Sequence, residues 1–181
     1  MSHSQWEKKK YKKAASEGKT SKLFSKLVRN ITMEAKLAGG NREASGLKAA
    51  VAKARAVDMP NDNIERAIKK ANEAGGVMES IIYEAYGPGG VGIIIEALTE
   101  SRNRAAQEIK HILSKNGASL AAIGAVTWAF TKELTDQGSV WKPSSSVALS
   151  PEDREVLETI LDELEENDEV QEVFTNLEET N

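Results

Sequence analysis

Hydrophobic residues recur at helical spacing in three segments of the first 75 residues. The first segment ends at Gly39-Gly40, and the second ends before Pro60, a residue that suits the first turn of the third. The apolar positions are Leu23, Phe24, Leu27, Val28 and Ile31, then Leu47, Ala50, Val51, Ala54 and Val57, then Ile64, Ala67, Ile68 and Ala71. Because three such stripes can bury one another, the pattern predicts a small helical domain, residues 20–76.

The pattern then changes to β-type runs. Ile81–Tyr86 and Val91–Thr99 are rich in β-branched and aromatic residues, and the turn residues Gly87–Gly90 separate them. Ser101 is a suitable N-cap for a helix that runs to Asn116. This stretch therefore predicts a hairpin followed by a helix.

The remaining third of the chain contains both element types. Alternation over Gly124–Thr131 predicts a strand, and a short strand is expected near Ser146–Leu149. Ser150-Pro151 starts a helix, and Val170–Thr175 predicts the last strand. From residue 91 the order is β-α-β-β-α-β, which is that of ferredoxin-like folds. The predicted fold is thus α+β: an N-terminal three-helix domain, then a ferredoxin-like (βαββαβ) domain, 77–181, with one extra strand.

Charge is distributed unevenly. Residues 1–75 hold 17 Lys and Arg against 8 Asp and Glu, residues 76–145 hold 6 against 7, and residues 146–181 hold 1 against 13. A block of positive charge attracts polyanions because binding releases their condensed counterions. The basic third therefore predicts contact with nucleic acid. The alternative is that its lysine-rich helices are ordinary solvated faces.

Residues 1–19 form a basic N-terminal arm with no helical apolar period. In such an arm, aromatic rings can stack on bases while lysines meet phosphates, although Trp6 could also pin the arm to the first domain. The predicted nucleic-acid-binding residues of the arm are His3, Trp6, Lys8, Lys9, Lys10, Tyr11, Lys12 and Lys13. Those beyond it are Lys22, Lys26, Arg29, Arg55, Arg102 and Arg104.

Arg102 and Arg104 lie at the start of a predicted helix, where the helix dipole favours anions. Two arginines at that position could clamp a phosphate. They could equally form salt bridges to Glu100 or Glu108, and the sequence leaves both readings open.

Several classes of activity are excluded or disfavoured. Cysteine is absent and His3 and His111 are the only histidines, which excludes thiolate chemistry and leaves little room for a histidine-based site. Gly87–Gly92 matches G-x-G-x-x-G, but a β-type run follows it, so it predicts a hairpin turn and not a dinucleotide site.

No apolar run could span a bilayer, and the start lacks the apolar core of a secretion signal. We therefore expect a cytoplasmic, non-enzymatic protein with no cofactor, metal or membrane contact.

Several long motifs resemble those of the YebC family, whose members include the mitochondrial translational activator of cytochrome c oxidase subunit I. These motifs are Ser2–Trp6, Lys22–Leu27, Ala54–Ala56, Met59–Ile68, Tyr86–Val91, Arg102–Arg104, Ser114–Gly117 and Val170–Asn176. The family pattern implies three domains, the third inserted within the second. Here Thr131–Val140 leads almost directly to Trp141–Val147, which resembles the segment after the insert. The resemblance thus implies a variant that lacks the inserted third domain.

Family members are commonly labelled DNA-binding transcriptional regulators, and others act in translation at the ribosome. The resemblance therefore implies a nucleic-acid-binding regulator of gene expression, acting on DNA, on ribosomal RNA or on the ribosome. The helical domain shows no clear helix-turn-helix with base-reading residues, and a lysine-aromatic arm suits irregular RNA at least as well as duplex DNA. The alternative function is a protein-interaction module acting through the acidic helix 151–167.

Overall fold

The structure is a computed structural model that describes residues 20–73 and 75–179, and it divides into two compact units. Of the described residues, the first unit contains those up to Gly75, which form three helices, together with Leu134–Ser139, and the second contains residues 76–133 and 140–179. The helices are α1 (Thr20–Leu37), α2 (Ser45–Arg55), α3 (Asn61–Lys70), α4 (Arg102–Lys115) and α5 (Pro151–Glu166). The strands are β1 (Glu79–Tyr86), β2 (Gly92–Thr99), β3 (Ser119–Leu120), β4 (Phe130–Thr135), β5 (Gly138–Pro143) and β6 (Val170–Thr175).

The first unit is a bundle in which α1 packs against both α2 and α3. Its core consists of the predicted stripes: Ile31, Ala54 and Ile64 are almost wholly buried, one from each helix. The hydroxyl of Thr32 also donates a hydrogen bond to the carbonyl of Ala67, at 3.1 Å, which links α1 to α3. All three helices predicted from the apolar spacing are present.

The second unit is built on a four-stranded antiparallel sheet with the strand order β3-β1-β2-β6. β1 and β2 form the predicted hairpin, in which Tyr86 pairs with Gly92. Gly89 and Gly90 have φ angles of 64° and 79°, a left-handed conformation that favours glycine. The glycine motif is therefore a turn between two strands, as the sequence indicates.

The two faces of this sheet are covered differently. Helices α4 and α5 pack on each other and on one face, to which they contribute buried residues such as Ile109 and Leu161. The opposite face carries a cluster in which Ile94 and Phe174 of the sheet meet the segment that follows β3. The other members of that cluster are Val126, Ala129 and Phe130, with Ala121, Ala125, Val140 and Trp141 packed against them. Central strand β2 is consequently buried on both faces.

Two strand predictions are wrong. Gly124–Thr131 is a turn with a short 3₁₀ segment, Thr127–Ala129, and β4 begins only at Phe130. Ser146–Leu149 contributes a single bridge, between Val147 and Leu177. The turn forms because the backbone N–H groups of Gly124, Val126 and Thr127 donate to the buried carboxylate of Glu84. These groups are therefore not available to pair with a neighbouring strand. The second strand of the β4–β5 hairpin, Gly138–Pro143, was not predicted.

The α+β class is confirmed, but the connectivity differs from the predicted βαββαβ order. The strand predicted as an extra, β1, lies inside the sheet between β3 and β2, and the β4–β5 hairpin forms a separate two-stranded sheet. A short apolar run identifies a strand but does not specify which strands lie beside it in the sheet. When a strand is buried on both faces, its apolar and polar residues do not alternate, so the sequence does not show which face is which. Among the described residues, no helix is both long and apolar enough to cross a membrane.

Candidate nucleic-acid interface

The eight predicted arm residues, from His3 to Lys13, lie outside the described residues, and the other six lie within them. Of the three on α1, Lys26 is buried, with 9% of its surface exposed, and Lys22 and Arg29 are half-buried. Each of these three interacts with another group. Of the four predicted residues that fall within the described helices 20–73, Arg55 is the exposed one.

Arg55, Arg42 and Lys69 all act electrostatically on the carboxylate of Glu65, and we call these four residues the Glu65 cluster. Arg42 donates two hydrogen bonds to Glu65, at 2.9 and 2.7 Å, and the pair is exposed. These bonds, with the added positive charges of Lys69 and Arg55, lower the pKa of Glu65 below its ordinary value. The cluster therefore holds three positive charges and one negative charge.

The three cations come from three separate places in the chain. Arg42 lies in the turn after α1, Arg55 is the last residue of α2, and Lys69 is in the last turn of α3. Cations at helix C-termini also complement the helix dipole, so part of their role is structural. Sequence reasoning identified Arg55 but missed Arg42 and Lys69. Tertiary packing brings Arg42 to Glu65, whereas Lys69 lies four residues after Glu65 on the same helix, a spacing that the sequence does show.

Charge separates the two units. The described residues of the first unit, 20–73, 75 and 134–139, hold 11 Lys and Arg against 7 Asp and Glu, whereas those of the second, 76–133 and 140–179, hold 7 against 19. Among the described residues, neither Arg55 nor Lys69 forms a salt bridge, so both can reach an external anion. The Glu65 cluster is therefore a candidate phosphate-binding surface in the part of the chain that the structure describes.

Arg102 and Arg104, in contrast, are engaged within the second unit. Arg102 pairs with Glu79 at 2.9 Å, and Arg104 donates to the buried carboxylate of Glu169, from Nε at 3.1 Å. The hydrogen bond to Glu169 raises the pKa of Arg104 further above its ordinary value. Both arginines therefore form salt bridges, but with carboxylates on other elements and not with Glu100 or Glu108. We do not include them in the interface.

The acidic helix α5 also makes a salt bridge within the second unit. Glu163 accepts a salt bridge from Lys115 of α4, at 2.6 Å, and this contact lowers the pKa of Glu163. Ser150 caps the helix by accepting a hydrogen bond from the N–H of Asp153.

In the described ranges, no group of three or more His, Asp and Glu side chains is placed to hold a metal ion.

Fold and surface together define a two-unit α+β protein with a basic helical unit and an acidic sheet unit. The model of the TACO1/YebC protein N-terminal domain matches residues 4–74, and that of the TACO1/YebC second and third domain matches residues 78–134 and 131–177. The chain belongs to the TACO1/YebC family.

Curated relatives and a solved structure agree with this assignment. A probable transcriptional regulatory protein of Thermoanaerobacter pseudethanolicus is 35% identical over 236 residues, covering 97% of this chain and 96% of the relative. One of Chlorobaculum parvum is 44% identical over 170 residues, covering 92% and 66%. The crystal structure of a conserved hypothetical protein of Aquifex aeolicus has a TM-score of 0.78 at 30% identity, covering 90% of this chain and 91% of that one.

The alignment with the Thermoanaerobacter pseudethanolicus protein also bears on the third domain, which the resemblance implies is absent from this chain. It extends over 236 residues, whereas the whole chain has 181, so the relative has positions that this chain lacks. The two segments that match the second-and-third-domain model meet at residues 131–134. This is where the resemblance implies that an inserted domain is absent.

Proposed function

We propose that this chain is a non-enzymatic regulator of gene expression that binds nucleic acid through its first unit. The observation that carries the proposal is the Glu65 cluster of the basic unit, in which Arg42 pairs with Glu65 and the charges of Arg55 and Lys69 act on the same carboxylate. The names of the curated relatives, probable transcriptional regulatory proteins, support a role in gene expression. The basic arm at residues 1–19 would add phosphate contacts to those of the cluster.

The chemistry of the first unit favours phosphate contact over base reading. Helix α3 begins with Asn61, Asp62 and Asn63, so amide side chains do lie at a helix start, contrary to the expectation from sequence. Asn63, however, accepts a hydrogen bond from Arg66 at 2.7 Å, and the carboxylate of Asp62 would repel a phosphate backbone. A surface of this kind contributes affinity with little sequence preference.

Duplex DNA and ribosomal RNA remain the two candidate ligands within this proposal. The relatives' names favour transcription, whereas a phosphate-binding surface beside a lysine-aromatic arm suits irregular RNA. We favour ribosome-associated RNA in the cytoplasm on these physical grounds. Sucrose-gradient fractionation of cells separates the two: sedimentation with ribosomes that is lost at high salt supports translation, and recovery with chromosomal DNA supports transcription.

A matched pair of charge reversals tests the interface itself. Lys69→Glu and Lys110→Glu change the same residue type, on exposed helical positions, by the same charge, but in different units. Binding to a mixed set of duplex DNA and structured RNA would be measured as a function of salt. We expect Lys69→Glu to weaken binding and to lower the slope of log K against log salt by about 1, because one phosphate contact is lost.

The control variant Lys110→Glu should leave both affinity and slope close to those of the wild type. Equal loss in the two variants would show that only net charge matters, and no loss in either would place the interface elsewhere. If the wild-type chain bound neither nucleic acid, the proposed function itself would be wrong.

A further inference from the structure

The end of helix α4 carries a sequence that the proposed function does not use. Asn116-Gly117 follows the last residue of the helix, Lys115, and it is the one Asn-Gly pair in the sequence. An asparagine before a glycine is chemically labile, because the glycine has no Cβ to block the approach of its backbone nitrogen to the side-chain amide. The pair is therefore a candidate site of covalent change.

The reaction open to this pair is deamidation, in which water is the co-reactant. The backbone nitrogen of Gly117 attacks the side-chain carbon Cγ of Asn116, and a bond forms between them while the bond from Cγ to Nδ2 breaks. Nδ2 leaves as ammonia together with the proton of the Gly117 N–H, and a cyclic succinimide remains. Water then opens the ring at either of its carbonyl carbons, which gives aspartate or isoaspartate at position 116.

The folded structure holds the leaving group in place. Asn116 is half-buried, and its Nδ2 donates hydrogen bonds to the carbonyl oxygen of Ile112, at 2.8 Å, and to Oε1 of Glu163, at 3.4 Å. Glu163 lies on α5, and its Oε2 accepts the salt bridge from Lys115. The carboxylate of Glu163 therefore fixes two consecutive residues at the end of α4.

The attacking nitrogen is held as well. The backbone N–H of Gly117 donates to the carbonyl oxygen of Ser114, at 3.2 Å. The next N–H, that of Ala118, donates to the carbonyl oxygen of Leu113, at 2.9 Å, and both of these residues are buried. Ring formation needs the glycine nitrogen to lose its proton and the neighbouring amide to turn towards it, and the closed turn opposes both. The end of α4 must first separate from α5, which is a local opening of the unit.

The product differs from asparagine at the atom that makes the contact. Aspartate at position 116 has an acceptor oxygen in place of the donating Nδ2, and this oxygen would face the carbonyl of Ile112 and the carboxylate of Glu163. Like charges repel and two acceptors cannot share a hydrogen bond, so α4 and α5 would no longer close as before. The reaction thus makes a transient opening permanent.

We propose that Asn116 is a deamidation site that the carboxylate of Glu163 controls. While α4 and α5 are joined, Asn116 is preserved. When they separate, a fraction of the chains converts to aspartate or isoaspartate, and this end of the second unit stays open. Conversion at Asn116 therefore measures how often the unit has opened, and it is independent of nucleic-acid binding.

Peptide mapping of the full-length chain by mass spectrometry tests the proposal, because both products are heavier than asparagine and separate from each other by chromatography. The chain is kept in a mildly alkaline buffer, and the fraction converted at Asn116 is followed with time. We expect conversion to be more than about tenfold faster in concentrated urea than in the folded chain, since urea populates the open state.

A matched pair of variants tests the role of the carboxylate. Glu163→Ala should raise the rate in the folded chain about fivefold, because α4 loses both contacts with this carboxylate. Glu155→Ala removes an exposed carboxylate from the same helix and should leave the rate unchanged. Circular dichroism verifies that both variants are folded.

A series of low urea concentrations makes the test independent of any variant. The rate at Asn116 in the wild type should rise in parallel with hydrogen exchange at the N–H of Ala118. The proposal would be overturned by equal rates in the folded chain and in urea, by no conversion in urea, or by equal rates for the wild type and a folded Glu163→Ala. Failure of the wild-type chain to bind nucleic acid would contradict the proposed function alone.

Discussion

The carboxylate of Glu84, on β1, accepts a hydrogen bond of 2.6 Å from the backbone N–H of Gly124, 40 positions later in the chain. Two more N–H groups of the same turn donate to the other oxygen of this carboxylate. Only 6% of Glu84 is exposed, so these three donors replace its hydration. The contact determines the path of the chain between β3 and β4, and it positions Trp128 on the surface.

Replacing Glu84 by glutamine should therefore destabilise the second unit. The amide keeps one acceptor oxygen but turns an NH₂ group towards backbone donors, so at least one buried N–H loses its partner. We expect a loss of about 2–3 kcal/mol in the free energy of unfolding, measured by urea denaturation. Glu100→Gln, at an exposed position, is the control and should change it by less than about 0.5 kcal/mol.

The same carboxylate predicts a pH dependence. Burial alone would raise the pKa of Glu84, but the three N–H donors outweigh burial and lower the pKa below its ordinary value of 4.5. The unfolded chain therefore binds this proton more readily, and the stabilisation is present above pH 4.5 and lost as pH falls through the lower, folded pKa. Unfolding curves at several acidic pH values should converge for the wild type and Glu84→Gln. A gap of constant size would contradict this assignment.

Gly92, at the start of β2, should not tolerate a side chain. A Cβ at this position would lie 2.6 Å from Cγ1 of Val126, in the packed cluster beneath the turn. We expect Gly92→Ala to lower the free energy of unfolding by about 1–3 kcal/mol through overpacking. Gly75→Ala is a matched control, because nothing lies within 4 Å of its added Cβ. Equal thermal midpoints for the two variants would show that the cluster can rearrange.

Neutralising the acid of the Glu65 cluster should strengthen binding to nucleic acid. In Glu65→Gln, Arg42 loses its ionic partner and becomes available to a phosphate. We expect higher affinity and a salt slope steeper by about 1. Glu43→Gln releases Lys48 in the same way, outside the cluster, and serves as the control. The location of the interface would be wrong if Glu43→Gln had the larger effect.

Reversing the charges of the arm should weaken binding more than any single change in the described units. Replacing Lys8, Lys9, Lys10, Lys12 and Lys13 by glutamate removes five candidate phosphate contacts. Each lost contact lowers the salt slope by about 1, so affinity should fall by orders of magnitude. Filter-binding titrations at several salt concentrations would measure both quantities. An unchanged slope would exclude the arm as a nucleic-acid-binding segment.

Local sequence determined most of the regular elements. Apolar spacing predicted the five helices of the described residues. Ser101 and Ser150 cap α4 and α5 as their positions indicate, each by accepting a hydrogen bond from the backbone N–H three residues ahead. The glycine-rich turn likewise predicted the β1–β2 hairpin. These features depend on neighbours within a few residues of one another, and such neighbours are visible in the sequence.

Only the tertiary structure decided the strand order, the 124–127 turn and the Glu65 cluster. Alternation predicted a strand at Gly124–Thr131, but the backbone N–H groups there gain more from the ionised Glu84 than from a strand partner. Arg42 and Arg55 are likewise ordinary cations until tertiary packing brings them near Glu65, whereas Lys69 is already a neighbour of Glu65 on one helix. Electrostatic contacts of this kind join residues that are far apart in the sequence, so a pattern of neighbouring residues does not predict them.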